Sequence, residues 1–418
     1  MAEKKSESIV VLGAGFGGLR AAISIAKKTG KEVILIDRND YQTFTPTLYE
    51  IAATSKETAN YLDLKKIVTF PIRELIRKYP IKFIQTNIEA LDLINGDIHC
   101  SGNLKLKFDY LVLALGSETN YFDIPGLREN SLPLKTFMDA LEIRNRIFNA
   151  VSEGKKNLKI VIGGGGSTGV ELAGELQEWL CELKKEIQKC DASITIVEGA
   201  SSILPGFDER IVKKALTRLR NLGINIINNE IIEKVILSEM MTKSGRKIFY
   251  DILIWAGGVQ ASNLMRALPL KKEEKRHQVV VAGKMECLPE TPDLRLYGKV
   301  YGLGDSVCFF DPITEKPAPK VARAALLQAD VVAHNIIEDL KGGGKHKVYI
   351  PKEYPYMISV GGKFAVAKLG SLIISGFAGW ILKGLVELNY MISVMGVWKA
   401  LKIWLKGIKI FIQNDRLG

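Results

Sequence analysis

The chain has 418 residues, 47% hydrophobic and 25% charged, a balance that excludes a disordered or fibrous protein and leaves room for two or three domains. The net charge of +12 is concentrated at one end: from Lys341 onward, twelve Lys and Arg face three acids. The five cysteines, Cys100, Cys181, Cys190, Cys287 and Cys308, form no CxxC pair and none pairs with a histidine at metal-ligand spacing, so no metal centre is expected and unpaired thiols in a reducing compartment fit best.

The N-terminus, MAEKKSES, is polar and carries no apolar signal segment. It leads into SIVVLGAGFGGLRAAISIAKKTGKEVILIDRND, which has the order of a strand, a glycine turn, a helix and a second strand. The run Ile9 to Leu12 stops at Gly13-Ala14-Gly15-Phe16-Gly17-Gly18. Gly13 allows a tight turn, Gly15 lets a pyrophosphate approach the backbone, and Gly18 lets helix and strand pack closely. The free N–H groups at the helix start attract the phosphates. Asp37 closes the second strand, where an acid accepts from ribose hydroxyls, and Arg38 follows it.

The pattern recurs at KIVIGGGGSTGVELAGELQEWL, with Gly164, Gly166, Ser167, Thr168 and Gly169 opening a longer helix. The next strand, Ile194 to Val197, ends in Glu198, with no cation between Gly199 and Leu204. An acid there accepts from a ribose 2′-hydroxyl and repels a 2′-phosphate, so this second site should prefer NADH to NADPH. Three further segments read as buried strands ending in small residues: 108–126, 250–259 and 296–307. Trp179 and Trp255 read as core, and the four histidines are scattered. Two cradles on one chain, the first at the extreme N-terminus, imply two dinucleotides.

The tail, WKALKIWLKGIKIF, sets Lys399, Lys402, Lys406 and Lys409 within an arc of about 80° on a helix, with Trp398, Leu401, Trp404, Leu405, Ile408 and Phe411 around the rest. Such a helix is expected to lie in the plane of an anionic membrane surface, with lysine stems reaching up to headgroups. The longest uncharged stretch of the tail, Leu369 to Leu382, is too short for a span, which needs about 20 residues.

On GAGFGG (13–18), PTLYEIA (46–52), LALGS (113–117), GGGSTGVELAGEL (164–176), IWAGGV (254–259), GLGDS (302–306) and SGFAGWILKGLVELNYMI (375–392), the chain resembles the FAD-dependent pyridine-nucleotide oxidoreductases, in particular the type II NADH:quinone oxidoreductases. The resemblance covers nearly the whole length. It implies that Gly13, Gly15, Phe16, Gly17, Gly18, Asp37, Arg38, Thr47, Ala114, Gly116, Gly304 and Asp305 hold non-covalent FAD. Gly164, Gly166, Ser167, Thr168, Gly169, Glu171, Glu198 and Gly257 would hold NADH, with Glu171 catalytic at the flavin–nicotinamide junction. Where the family carries glutamines near the quinone head group, this chain has Arg323 and, further on, Gln328.

The expected architecture is therefore α/β, with two Rossmann-like dinucleotide-binding domains. An FAD domain (1–125 and 263–340) is interrupted by an NADH domain (126–262). A C-terminal membrane-associating helical module (341–418) follows. The expected activity passes hydride from NADH to FAD and two electrons to a membrane quinone, without ion pumping. The expected place is peripheral, on the cytoplasmic face of the cell membrane, with a homodimer left open. Disulfide exchange is disfavoured because 41–53 has no cysteine. A sulfide:quinone oxidoreductase is a rival because Cys308 follows Asp305 closely. Trp398, Lys399, Lys402, Trp404, Lys406 and Lys409 are the expected membrane contacts. Nucleic acid is disfavoured, because no DNA- or RNA-reading motif accompanies those lysines.

Overall fold

The computed structural model describes residues 7–183, 192–352 and 354–414. They form two compact units. The first comprises 1–42, 70–118 and 259–354; the second comprises 43–69, 119–258 and 355–418. Segment 119–258 thus interrupts the chain of the first unit, and the C-terminal residues pack with the second.

In the first unit a five-stranded parallel sheet runs Lys299–Gly302, Tyr110–Leu113, Ile9–Leu12, Val33–Asp37, Ile81–Gln85. The β-branched run at Ile9 is buried on both faces, as a central parallel strand requires. Helix Phe16–Thr29 packs against helix Ala322–Leu340, and the two approach so closely at Gly17 that a methyl there would lie 3.1 Å from the Ala325 carbonyl oxygen. An antiparallel three-stranded sheet, 88–107, completes this unit.

The second unit repeats the plan. Its parallel sheet runs Leu132–Pro133, Ile252–Trp255, Leu158–Gly163, Ala192–Val197, Asn225–Ile227. Val161, Val197, Val235, Met240, Leu253 and Trp255 share one core cluster. Helix Ser167–Leu183 lies directly on the loop after strand Tyr356–Ser359: a methyl on Gly174 would come within 2.4 Å of the Gly361 nitrogen. The antiparallel sheet Tyr356–Ser359, Ala365–Leu369, Leu372–Gly376 then carries helix Phe377–Met395. Gly379 is the contact point, because a methyl there would meet the Ala365 carbonyl oxygen at 2.4 Å. Gly174 of GVELAGEL and Gly379 of SGFAGW are therefore packing glycines. Gly396, in the left-handed region at φ 84°, breaks the helix and starts helix Val397–Asn414. No helix among the described residues is long and apolar enough to cross a membrane.

Candidate functional site

In the first unit the glycines do what their spacing predicts. Gly13 has φ +98°, and a methyl on it would lie 2.3 Å from the Ala114 carbonyl oxygen; one on Gly18 would lie 1.9 Å from Gly13 O. Around Gly15 the space is open. Gly15 caps helix Phe16–Thr29 without a side-chain bond, so the first N–H groups face that space. Asp37 braces the turn: its carboxylate accepts from Ala14 N–H at 2.7 Å and from Asn39 N–H at 2.9 Å. Burial nevertheless holds this acid above its ordinary range. Asp305 accepts from Ser117 Oγ at 2.9 Å, Ser306 Oγ donates to Gly116 O, and Arg38 is exposed. Thr47 belongs to the other unit, where it lines a cavity described below.

The second cradle reproduces the geometry. Gly164 has φ +108° and lies against Ala256 and Gly257, Gly169 lies against Gly164 O, and Gly166 faces open space. Glu198 is the counterpart of Asp37. Its Oε2 accepts from Gly165 N–H at 2.6 Å and its Oε1 from Ala200 N–H at 2.7 Å. Both acids thus tie the second residue of their cradle to the strand end, a duty beyond the ribose contact that the motif assigns them. A cavity of about 480 Å³ opens here, lined by Phe122, Ile124, Gly164, Glu198, Trp255 and Gly257 among others.

A second cavity, of about 60 Å³, lies elsewhere in this unit. Its walls are Thr47, Glu50 and Ile67, then Trp380, Lys383 and Glu387 of one C-terminal helix, then Ile403, Trp404, Ile408 and Phe411 of the other. Lys383 is buried, with Nζ 2.6 Å from Glu387 Oε1, 3.7 Å from Glu50 Oε1, and 5.2 Å from the centre of the Tyr49 ring. Burial works against its charge, yet the surrounding acids hold its pKa well above the ordinary value. Two donors at this cluster, Tyr49 Oη and Trp404 Nε1, are buried without a hydrogen-bond partner. Buried polar atoms of that kind call for an explanation, and a ligand with acceptor oxygens is one. Glu171 belongs to the same electrostatic group. It accepts from Ser359 N–H at 3.3 Å, and loss of solvation raises its carboxyl to about 8, against the pull of Lys383.

Several expected residues stand differently. Gln328 is buried, accepts from Gly304 N–H at 2.8 Å and bonds the Tyr349 hydroxyl, so its amide is committed inside the first unit. Arg323 is exposed. In the last helix Trp404 points into the cavity rather than outward, and Lys406 pairs with Asp63 at 2.7 Å. Trp398 is the outward tryptophan, 86% exposed, and Lys399, Lys402 and Lys409 are exposed too. Cys100, Cys287 and Cys308 are buried and unpaired, and burial pushes all three thiols up, which leaves them poor nucleophiles. Cys190 lies outside the described residues. No metal-binding cluster occurs among the described residues.

Residues 7–329 match the pyridine nucleotide-disulphide oxidoreductase family. The chain is 27% identical, over 95% of its length and 98% of the relative's, to a type II NADH:quinone oxidoreductase of Staphylococcus aureus. Among solved structures it is similar to NDH2 from Plasmodium falciparum in complex with NADH, at 21% identity and a TM-score of 0.84, covering 97% of this chain and 98% of that one. It is also similar to the sulfide:quinone oxidoreductase of Aquifex aeolicus, at 20% identity and a TM-score of 0.76, covering 97% and 96%. Those two similarities speak for the fold.

Proposed function

Because the chain belongs to the pyridine nucleotide-disulphide oxidoreductase family, we propose that it oxidises NADH and reduces a quinone, as an FAD enzyme held at a membrane surface. The observation that carries this reading is the pair of braced cradles, one per unit, on a chain with no cysteine in 41–53. The disulfide chemistry in the family's name requires a reactive cysteine pair. The thiols described here are single and buried.

The first cradle suits FAD. The open space at Gly15 and the uncapped N–H groups behind it fit a pyrophosphate. Gly13, Gly15, Phe16, Gly17, Gly18, Asp37, Arg38, Ala114, Gly116, Gly304 and Asp305 would hold it. Bound FAD supplies the two-electron chemistry that links NADH oxidation to quinone reduction. Gly164, Gly166, Ser167, Thr168, Gly169, Glu198 and Gly257 hold NADH. Glu198 selects it, since both oxygens already sit on backbone N–H groups and a 2′-phosphate would meet a fixed negative charge.

We place the quinone head group at the Lys383 cavity, not at Arg323 and Gln328. There a quinone carbonyl meets the unpartnered Trp404 N–H and a buried cation, and Glu171, neutral at pH 7, holds a proton within the same group of charges. A cavity of roughly 150 Å³ takes up a benzene ring. At about 60 Å³ this one is smaller than that, so a quinone ring enters only if the cavity widens. Helix Val397–Asn414, which forms one wall, also carries exposed lysines and Trp398, and these support a cavity mouth that faces the membrane. The side is the cytoplasmic face, where NADH is available.

The test is purification with lipid, a flavin spectrum, and NADH oxidation with and without a short-chain quinone. We expect a yellow protein whose NADH oxidation depends on quinone and whose flavin is released on denaturation. A colourless protein, or one whose NADH oxidation ignores quinone, overturns the proposal.

A further inference from the structure

Phe122 stands in a backbone conformation that side chains rarely adopt. Its φ is +51° and that of Asp123 is +52°. An aspartate tolerates this region; for a bulky residue it is an outlier that the surroundings must enforce. Here they do. Asn120, itself buried, uses three groups to hold the turn. Its N–H donates to Gly258 O at 3.0 Å, its Oδ1 accepts from Phe122 N–H at 2.8 Å, and its carbonyl accepts from Trp255 Nε1–H at 2.7 Å. The Phe122 ring stands edge-on to Trp255, with centroids 6.3 Å apart and planes at 85°. A methyl on Gly258 would come within 3.1 Å of that ring. For all this anchoring the ring remains 52% exposed, on the wall of the 480 Å³ cavity.

The sheet tells which part of the cavity the ring covers. Strand Leu158–Gly163, which ends at the cradle, has Ala192–Val197 on one side and Ile252–Trp255 on the other. Glu198 follows the first neighbour and Trp255 ends the second. At about 4.8 Å per strand they are roughly 10 Å apart, on opposite flanks of the pyrophosphate position. Glu198 takes the adenosine ribose. Phe122, seated on Trp255 and beside Gly257-Gly258, therefore faces the other half of the dinucleotide.

We propose that Phe122 is a positioning residue for the nicotinamide half of NADH, held in a strained turn so that its exposed ring packs against the nicotinamide ribose and excludes water from it. This rests on reading the 480 Å³ cavity as the NADH site. Asn120 acts through Phe122, as the residue that fixes the turn. The strain gives a test that separates this role from ordinary packing. Glycine is the residue best suited to φ +51°, so Phe122→Gly relieves the backbone while removing the ring.

The experiment measures, on the full-length flavoprotein, the affinity of NAD⁺ and of AMP by calorimetry, together with melting temperature, for wild type and Phe122→Gly. AMP carries only the adenosine half. We expect the variant to melt no lower than wild type, to bind AMP within about twofold of wild type, and to bind NAD⁺ about tenfold more weakly, a change of about 1.4 kcal/mol. The KM for NADH should rise correspondingly, with kcat at saturation much less affected. NAD⁺ affinity within twofold of wild type overturns the proposal. So does an equal loss of NAD⁺ and AMP accompanied by a lower melting temperature, which would make Phe122 a packing residue. If wild type binds neither ligand, the cavity is not the dinucleotide site, and the proposal falls with that reading.

Discussion

Glu198→Gln tests the second cradle most sharply, because this acid braces the turn in the structure and is proposed to contact the ribose as well. The carboxylate accepts from Gly165 N–H and Ala200 N–H, one on each oxygen. A glutamine has one acceptor oxygen and one NH₂. Whichever way the amide turns, one backbone N–H faces a donor. The cost is about 1–3 kcal/mol of stability, localised at the cradle. For NADH, exchanging a charged acceptor for a neutral one at the ribose loses about 1 kcal/mol more. For NADPH the change is opposite in sign. Removing a unit charge roughly 5 Å from a doubly charged 2′-phosphate relieves about 2 kcal/mol even at water-like screening.

The two effects add in the ratio, so the preference for NADH over NADPH should fall by about 3 kcal/mol, on the order of a hundredfold. Anaerobic stopped-flow reduction of the bound flavin by each nucleotide reads that ratio directly, and a melting curve reads the lost bond. A preference that stays within threefold of wild type would refute the assignment of Glu198 to the ribose. A melting temperature that does not fall would refute its role as a brace.

Two further substitutions separate local effects. Gly15→Val should fold with an unchanged melting temperature for the apoprotein, because no protein atom lies within 4 Å of a methyl there, yet purify without flavin; a yellow Gly15→Val at full occupancy would show the first cradle to be misassigned. Glu171, with its carboxyl raised to about 8, is protonated at neutral pH, so quinone turnover should decline as pH rises through about 8, and Glu171→Gln should be slower and lose that inflection while keeping FAD. The same raised pKa makes the folded state bind a proton that the unfolded chain has lost, so its stabilising effect is full below about 4.5 and fades as pH climbs to 8; the melting temperature of Glu171→Gln should lack that slope.

The glycines were legible because their reasons are local. A turn at φ +98°, an open approach at Gly15 and a close approach of helix to strand at Gly18 follow from spacing alone. The bracing bonds of Asp37 and Glu198 were not, because they join a strand end to a loop 23 and 33 residues earlier. Lys383 was missed although a signal existed. It and Glu387 are the only charges between Leu369 and Met395, four residues apart on one helix face, and such an isolated pair in an apolar helix points to an ion pair held away from water. Glu50, its other partner, lies more than 300 residues earlier and could be joined to it only by folding. Phe122 carries no sequence signal, since nothing in NYFDIPG announces a left-handed phenylalanine.

The last helix shows how folding redistributes a pattern. At 100° per residue, Trp398, Lys402, Leu405, Lys409 and Ile412 share an arc of about 80°, and all are exposed. Ala400, Ile403, Trp404, Gly407 and Ile410 lie opposite, and this face is the one turned to the rest of the unit, with Ala400, Gly407 and Ile410 buried and Ile403, Trp404 and Gly407 on the cavity wall. The helix therefore uses its apolar residues twice, half for the cavity and half for whatever lies outside. Phe377, Ile381 and Leu385 extend the exposed apolar surface along the preceding helix. Deleting the whole helix would remove a cavity wall and could not isolate membrane binding. Reversing Lys399, Lys402 and Lys409 to glutamate leaves the wall intact. Each lysine near an anionic lipid contributes about 1 kcal/mol, so the triple variant should lose at least about 3 kcal/mol of attraction to phosphatidylserine vesicles. Its cosedimentation with them should drop to the level set by the apolar face on neutral phosphatidylcholine vesicles. NADH oxidation with a short-chain quinone in detergent should be unchanged. If the variant still sediments with phosphatidylserine vesicles as wild type does, these lysines do not face the membrane and the outward surface belongs to another partner.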